Sequence, residues 1–353
     1  TLGGSITTSG TQTYTGAVTL GADTTLTTTN SLVTFSSTVA NSSARALSIS
    51  SGSGGVTFAD TVGSGTALGA VSLTTTGTTT ISSSLGAASF SGGAGTTAIN
   101  GGSVTTSGTQ TYNGAVTLGA NATLTASGIT TSSTVTAGNY DLTLVTDAVA
   151  LGGNVTGGTG TLTIKPKTAT TTIGLGDGAN ASGATLQLSD TEIDRINVVT
   201  KFASIVIGDA SAGTGTLKYD TSADKTLGSS LTLQSLSGAI TVYDTLNVGS
   251  GKNITISTSG TVSLSVVNTA NVLAVTGSTI TLNGDVTTVG GQTYNSPVIL
   301  GADTTLTTTD SLVWFKSTVS NSSARALSIS SGSGGVTFAD TVGSGTALGA
   351  VSL

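Results

Sequence analysis

Asn41–Leu73, NSSARALSISSGSGGVTFADTVGSGTALGAVSL, returns letter for letter as Asn321–Leu353. With scattered changes the match runs back through Leu2–Leu73 against Leu282–Leu353 at the same offset. The chain thus starts and stops at nearly the same phase of a long repeat, as a portion of a longer filament would. Inside the block, Val56 and Phe58 alternate with Thr57, and Gly or Ser follows within a few residues. Alternation at a period of two puts Val56 and Phe58 on one side of a strand and Thr57 on the other.

Working outward, Gly3–Leu26 reappears in part within Ile99–Leu124, as GSVTTSGTQTYNGAVTLGANATL. Tyr14, Tyr112 and Tyr294 mark equivalent places, and the second interval is nearly twice the first. Unequal separations argue against a string of equal globular domains. Gain or loss of a smaller stacking unit, the way solenoids change length, accounts for them. Repeats 2–73, 99–124 and 282–353, with a divergent middle at 151–281, are therefore read as one continuous segment spanning 1–353.

Candidate strands in the first repeat are Ala17–Leu20, Thr24–Thr28, Leu32–Ser36, Ala46–Ser50, Gly55–Ala59 and Ala70–Thr74. Corners fall at Gly21-Ala22-Asp23, Asn41-Ser42-Ser43, Ser51–Gly54 and Gly63-Ser64-Gly65, where Gly tolerates positive φ and Asn, Asp and Ser bond nearby backbone. No window carries the three-and-four spacing of an amphipathic helix. Ser189–Ile196 is the exception in kind, a charged cluster that suits a single helical turn or a side loop, capped by Ser189 or Asp190.

Two all-β solutions compete. The interval from Tyr14 to Tyr112 is near the size of an immunoglobulin-like sandwich, but such a domain needs a bulkier core and longer strands, and 13 aromatics in 353 residues supply neither. Strands of four or five residues, each followed by a Gly, Ser or Asn corner, suit a parallel β-helix with Val, Ile, Leu and Ala inside. Stacking also accounts for the threonine. Outward residues align about 4.8 Å apart, where like charges repel and Thr neighbours are compatible. At roughly 20 residues per turn the chain makes about 18 turns and about 85 Å.

Composition narrows the function. Only 7% of residues are charged, the net charge is −6, and there is no His and no Cys. The usual base and nucleophile pairs and thiolate metal sites are excluded. Ten scattered Lys and Arg cannot neutralise a run of phosphates, so no nucleic acid is expected. No apolar run is long enough for a membrane-spanning helix. One Trp and six Tyr cannot supply the two aromatic girdles of a transmembrane barrel.

The segments QTYTGAVTLGADTTLTTT, GSGGVTFADTVGS and GTGTLTIKP resemble repeats of large bacterial surface and secreted proteins of the filamentous haemagglutinin type. The resemblance implies a right-handed parallel β-helix shaft, export from a Gram-negative cell through an outer-membrane partner, and a role in adhesion, aggregation or biofilm. The secretion domain at the family's amino terminus is not recognisable here. The expected reading is an extracellular adhesin shaft or fibre, not an enzyme, with no cofactor. A self-assembling surface-layer or sheath filament is a second reading, and a polysaccharide-active β-helix enzyme a third. Expected partners are further copies of the chain in fibres and a host or cell-surface glycan.

Candidate sites are few. Asp190, Glu192 and Asp194, with Lys201 nearby in sequence, are the one set suited to acid–base work, against the plainer reading of a solvated loop. Gly176-Asp177-Gly178 and Gly208-Asp209 resemble single calcium turns without the repeated GGxGxD that a calcium roll requires. Asn-x-Ser/Thr triplets, among them those at Asn41, Asn121, Asn154, Asn253 and Asn321, are expected by chance in such a composition. Arg45 and Arg325 either cap a corner or pair with Asp60 and Asp340.

The informative differences lie between the long copies. Thr19 becomes Ile299, Thr34 becomes Trp314 and Ser36 becomes Lys316, while Val18, Leu20, Val33 and Phe35 persist in kind. Alternation places the changed residues outside. Ile299, Trp314 and Lys316 are therefore the expected lateral contact, with another shaft or with a sugar.

Overall fold

The computed structural model describes residues 1–269 and 271–353 as short parallel strands stacked into a β-solenoid of about 17 turns in all. The chain falls into two compact units, Thr1–Lys167 with Val198–Phe202, and Thr168–Asn197 with Ala203–Leu353.

In the first unit the stacking is plainest along one series of strands: Gln12–Tyr14, Val33–Phe35, Val56–Phe58, Thr79–Ile81, Thr97–Ile99, Val116–Leu118, Val135–Thr136 and Val155–Thr156. Val33 pairs with Val56 and Thr79 with Thr97, steps of 23 and 18 residues that lie either side of the expected turn of roughly 20. Register makes the side chains repeat in columns. Tyr14, Phe35, Phe58 and Ile81 follow one another inward, and the first three rings stack at centroid separations of 5.0 and 5.4 Å. Such offset ring pairs add about 0.5–1.5 kcal/mol to the burial itself.

Outward on the same strands stand Thr13, Thr34, Thr57, Thr80, Ala98, Thr117, Thr136 and Thr156, each in register with the next. That column carries no charge. The unit as a whole balances Asp23, Asp60, Asp141 and Asp147 against Arg45, Lys165, Lys167 and Lys201, so the net charge of −6 belongs to the second unit.

Other coils of the first unit depart from the sequence reading. Val18–Thr28 is one strand that continues through the expected corner at Gly21-Ala22-Asp23, where its register with Leu2–Thr8 slips in a bulge instead. Leu2–Thr8 pairs along it on one side, and Val39–Asn41 and Leu47–Gly52 share its other side, so the partners hold it extended. The matching Gly301-Ala302-Asp303 does separate two strands, Val298–Leu300 and Thr304–Thr307.

The second unit has three stacks. One holds Ser204–Asp209, Ser230–Ser235, Ile254–Ser257, Leu273–Thr276, Gln292–Tyr294, Val313–Phe315 and Val336–Phe338. Another runs from Leu186–Leu188 through Ile173–Leu175 and Leu217–Tyr219 to Val319–Asn321. A third runs from Lys225–Leu227 to Val351–Ser352. Leu186–Leu188 lies outside Ile173–Leu175, so the chain steps back once before advancing. A helix, Asp190–Ile196, follows that edge strand. Its Ile193 and Ile196 are buried with Leu175, Leu188, Ile205, Tyr219 and Leu231 around a cavity of about 20 Å³. A solenoid edge would otherwise expose its core there.

Interior positions are not confined to aliphatic groups, contrary to the simple inside–outside expectation. Thr24, Thr28, Thr75, Thr79, Thr97, Thr106 and Thr288 are buried, as are Gln12, Gln110 and Gln292. Several of these threonines close a corner from within: Thr106 Oγ1 donates to Gly108 O at 2.8 Å, and Thr288 Oγ1 to Gly290 O at 2.6 Å.

Candidate functional site

The carboxylates of the helix are each engaged in holding the fold. Ser189 caps the helix, and Glu192 returns the bond: its Oε2 accepts from the Ser189 amide at 2.9 Å, while Ser189 Oγ accepts from the Glu192 amide at 3.3 Å. This reciprocal capping box is legible in the Ser-x-x-Glu spacing. Asp190 Oδ2 accepts from both the amide and the hydroxyl of Ser222. Burial pushes the Asp190 carboxyl up, but the Ser222 bonds and the charge of Lys225 outweigh it and hold the group below its ordinary value. Asp194 pairs with Lys225 at 2.8 Å. Lys201 belongs to the first unit and the helix to the second.

The glycine–aspartate turns are occupied likewise. Asp177 Oδ2 accepts from the Asp190 amide at 3.0 Å, and Asp209 Oδ1 accepts from Ser211 N–H at 2.8 Å. Among the described residues no group of three His, Cys, Asp or Glu is placed to hold a metal ion. Asp60 and Asp340 each accept at Oδ1 from the amide of the next residue, Thr61 and Thr341, at 2.7 Å. Asn41 and Asn321 are buried, so their two triplets are closed to modification.

Of the three residues expected to make a lateral contact, the structure brings two together. Trp314 and Lys316 lie on the outer side of Val313–Phe315 and its corner, with Lys316 Nζ 4.3 Å from the indole centroid. Ile299 sits in a different stack, half-buried on Val298–Leu300. Alternation gave each residue its inside or outside place but not its stack. Trp314 remains 36% exposed, its outward neighbours in register being Thr293 and Thr337. The ammonium already covers one face of the ring, an arrangement worth about 0.5–1 kcal/mol at an exposed site.

Two recurring devices were not anticipated. The first is a buried Gln-Thr-Tyr latch, present three times. Gln110 Nε2 donates to Val104 O at 2.8 Å and Thr125 O at 2.9 Å, and its Oε1 accepts from Tyr112 Oη at 2.8 Å. Gln12 and Gln292 repeat the pattern on Ile6 and Thr27, and on Val286 and Thr307. One amide thereby ties a carbonyl shortly before it in sequence to one in the following coil. Burial pushes the hydroxyls of Tyr112 and Tyr294 well above the ordinary tyrosine value, keeping them donors. The QTY triplet itself was the visible signal.

The second device is a carboxylate or amide side chain, within a strand or at a corner, that accepts from the amide one coil on. Asp23 takes Ala46 N–H, Asn30 takes Ser53, Asp141 takes Thr161 and Asp285 takes Thr305, at 2.7–3.1 Å. Asn30 and Asp310, equivalent in the two copies, both hold positive φ, 54° and 50°.

No described helix is long and apolar enough to cross a membrane. Comparison of the chain with protein-family models, with curated proteins and with solved structures returned no match.

Proposed function

We propose that this chain is a structural shaft that spaces or displays other parts of a bacterial surface protein of the filamentous haemagglutinin type, in support of adhesion, aggregation or biofilm. The observation that carries the reading is the use made of its polar side chains. Asp, Asn, Gln and Thr bond from one coil to the next, and the outward column from Thr13 to Thr156 is neutral and in register. A solenoid of this kind is compatible with a shaft. The reading assigns no catalysis, cofactor or nucleic-acid partner.

Extracellular placement, export through an outer-membrane partner and lateral contact through Trp314 and Lys316 belong to the same proposal, drawn from the repeat resemblance and from the exposed ring. Its test is antibody labelling of intact source cells combined with electron microscopy of the material released from them. Surface label on thin fibres is the expected result. Label appearing only after the cells are permeabilised would overturn the reading.

A further inference from the structure

A groove of about 620 Å³ crosses the coils of the first unit from Asn30 to Asn113. It exists because the backbone gives way there. A β-bulge falls between Ser50 and Gly52 where Leu47–Gly52 meets Leu68–Thr75, and bulges re-aim the side chains around them. Thr75 Oγ1 and Thr76 Oγ1 both turn onto Gly52 O, at 3.0 and 3.3 Å. Gly52 and Gly93 admit no side chain: a Cβ would lie 2.2 Å from Asn30 Oδ1 in the first case and 2.4 Å from Thr75 O in the second.

Hydroxyls and amides make up the polar lining of the groove, beside Leu73, Ala94 and glycine backbone. Ser50 and Thr74 are in register on adjacent coils, as are Ser72 and Ser91. Ser72 and Thr74 point outward from one strand. Four hydroxyls thus form two ranks, spaced about 4.8 Å between coils and about 6.6 Å along the strand. None of the four bonds to another described residue, so all can donate and accept. Amides close the two ends. Asn30 uses Oδ1 on Ser53 N–H, which leaves Nδ2 to donate, and Asn113 uses Nδ2 on Gly92 O at 2.6 Å, which leaves Oδ1 to accept. Among the described residues, no charged side chain and no aromatic ring lines the groove.

We propose that this groove binds a neutral oligosaccharide laid along the coils. A polymer of hydroxyls at regular intervals matches ranks of hydroxyls at regular intervals, each side both donor and acceptor. An anionic chain would find no cation there, and a peptide would find neither a free strand edge nor an apolar pocket for its side chains. The span of four inter-coil steps, about 19 Å, takes several sugar units. Without an aromatic platform the affinity is millimolar. This inference stands apart from the shaft reading and survives its failure.

The test is saturation-transfer NMR on the purified chain with cellotetraose, maltotetraose and the anionic tetragalacturonate, each at up to about 10 mM. At least one neutral tetrasaccharide binds, and tetragalacturonate does not. The double variant Ser72→Ala with Thr74→Val, which keeps outward strand positions filled, lowers that affinity about fivefold or more. Thr117→Val, on another stack, leaves it unchanged, and all variants keep the parent circular dichroism. Absence of binding by both neutral sugars overturns the proposal. So does undiminished affinity in the double variant, or equal binding of tetragalacturonate.

Discussion

Replacing Gln110 by Leu removes the buried latch while nearly conserving volume. Three groups lose their partner: Val104 O at 2.8 Å, Thr125 O at 2.9 Å and Tyr112 Oη at 2.8 Å. An orphaned buried polar group costs about 1–3 kcal/mol. Because each carbonyl has a second lone pair, the lower figure applies and the total is about 3 kcal/mol. Tyr112→Phe orphans Gln110 Oε1 alone and costs about 1.5 kcal/mol. With both changed, no Gln–Tyr partner remains to be left unpaired, so the double variant costs less than the sum by more than about 1 kcal/mol. Gln12→Leu, in a copy whose Tyr14 is only half-buried, costs clearly less than Gln110→Leu. Urea unfolding followed by circular dichroism measures the set, with constancy of the m-value as the check on cooperativity that a repeat array needs. Additivity within about 0.5 kcal/mol, or equal cost at Gln12 and Gln110, would refute the assignment of these bonds as a coupled buried unit.

Other outcomes distinguish parts of the account. The bonds from the Ser333 amide and side chain hold the Asp310 carboxyl below its ordinary value, so their stabilisation is present above the unfolded pKa and lost as pH falls through the folded one. Amide exchange at Ser333 should therefore quicken in acid, after correction for intrinsic rates, while Ser53, bonded to Asn30, shows no such step and Asp310→Asn removes it. Trp314→Thr should leave folding stability within about 1 kcal/mol of the parent, the worth of the Lys316 contact, while weakening lateral association in sedimentation; unchanged association discards the contact. Lysines at Thr34, Thr57 and Thr80 together place like charges about 4.8 Å apart, two neighbouring pairs at about 0.9 kcal/mol each in water. The loss of about 2 kcal/mol should shrink in about 1 M salt, whereas Thr57→Lys alone should show little of it.

The fold class was legible because alternation over three residues is enough to decide which side of a strand faces in. Val56 and Phe58 are buried about Thr57, and Val313 and Phe315 about Trp314, as the pattern requires. What alternation cannot supply is the stack to which a strand belongs: Ile299 and Trp314 are both outward, yet stand in different stacks. Nor do identical letters fix identical breaks, since Gly21–Asp23 continues a strand that Gly301–Asp303 interrupts, and only the neighbouring coils differ.

The candidate site was less legible for a related reason. Asp190, Glu192 and Asp194 stood out by residue type as the one set suited to acid–base work, beside the plainer reading of a solvated loop, and each is instead engaged by a partner, Ser222, Ser189 and Lys225 in turn. Only the Ser189–Glu192 pairing is local enough to be seen in the sequence. Buried Gln110 ran against the expectation that polar groups face water, because its partners are Val104 on a preceding strand and Thr125 one coil ahead. The groove from Asn30 to Asn113 depends on a bulge and on residues from successive coils, so no single window contains it.

The account rests on strands that pair in parallel with the strand one coil away. Methyl-selective nuclear Overhauser spectroscopy of labelled threonines tests this without altering the protein. Contacts between the γ-methyls of Thr34 and Thr57 and of Thr57 and Thr80, adjacent in register, are expected, with none between Thr34 and Thr80. Contacts in which one residue number rises as its partner's falls would reveal antiparallel pairing and contradict the stacked coil.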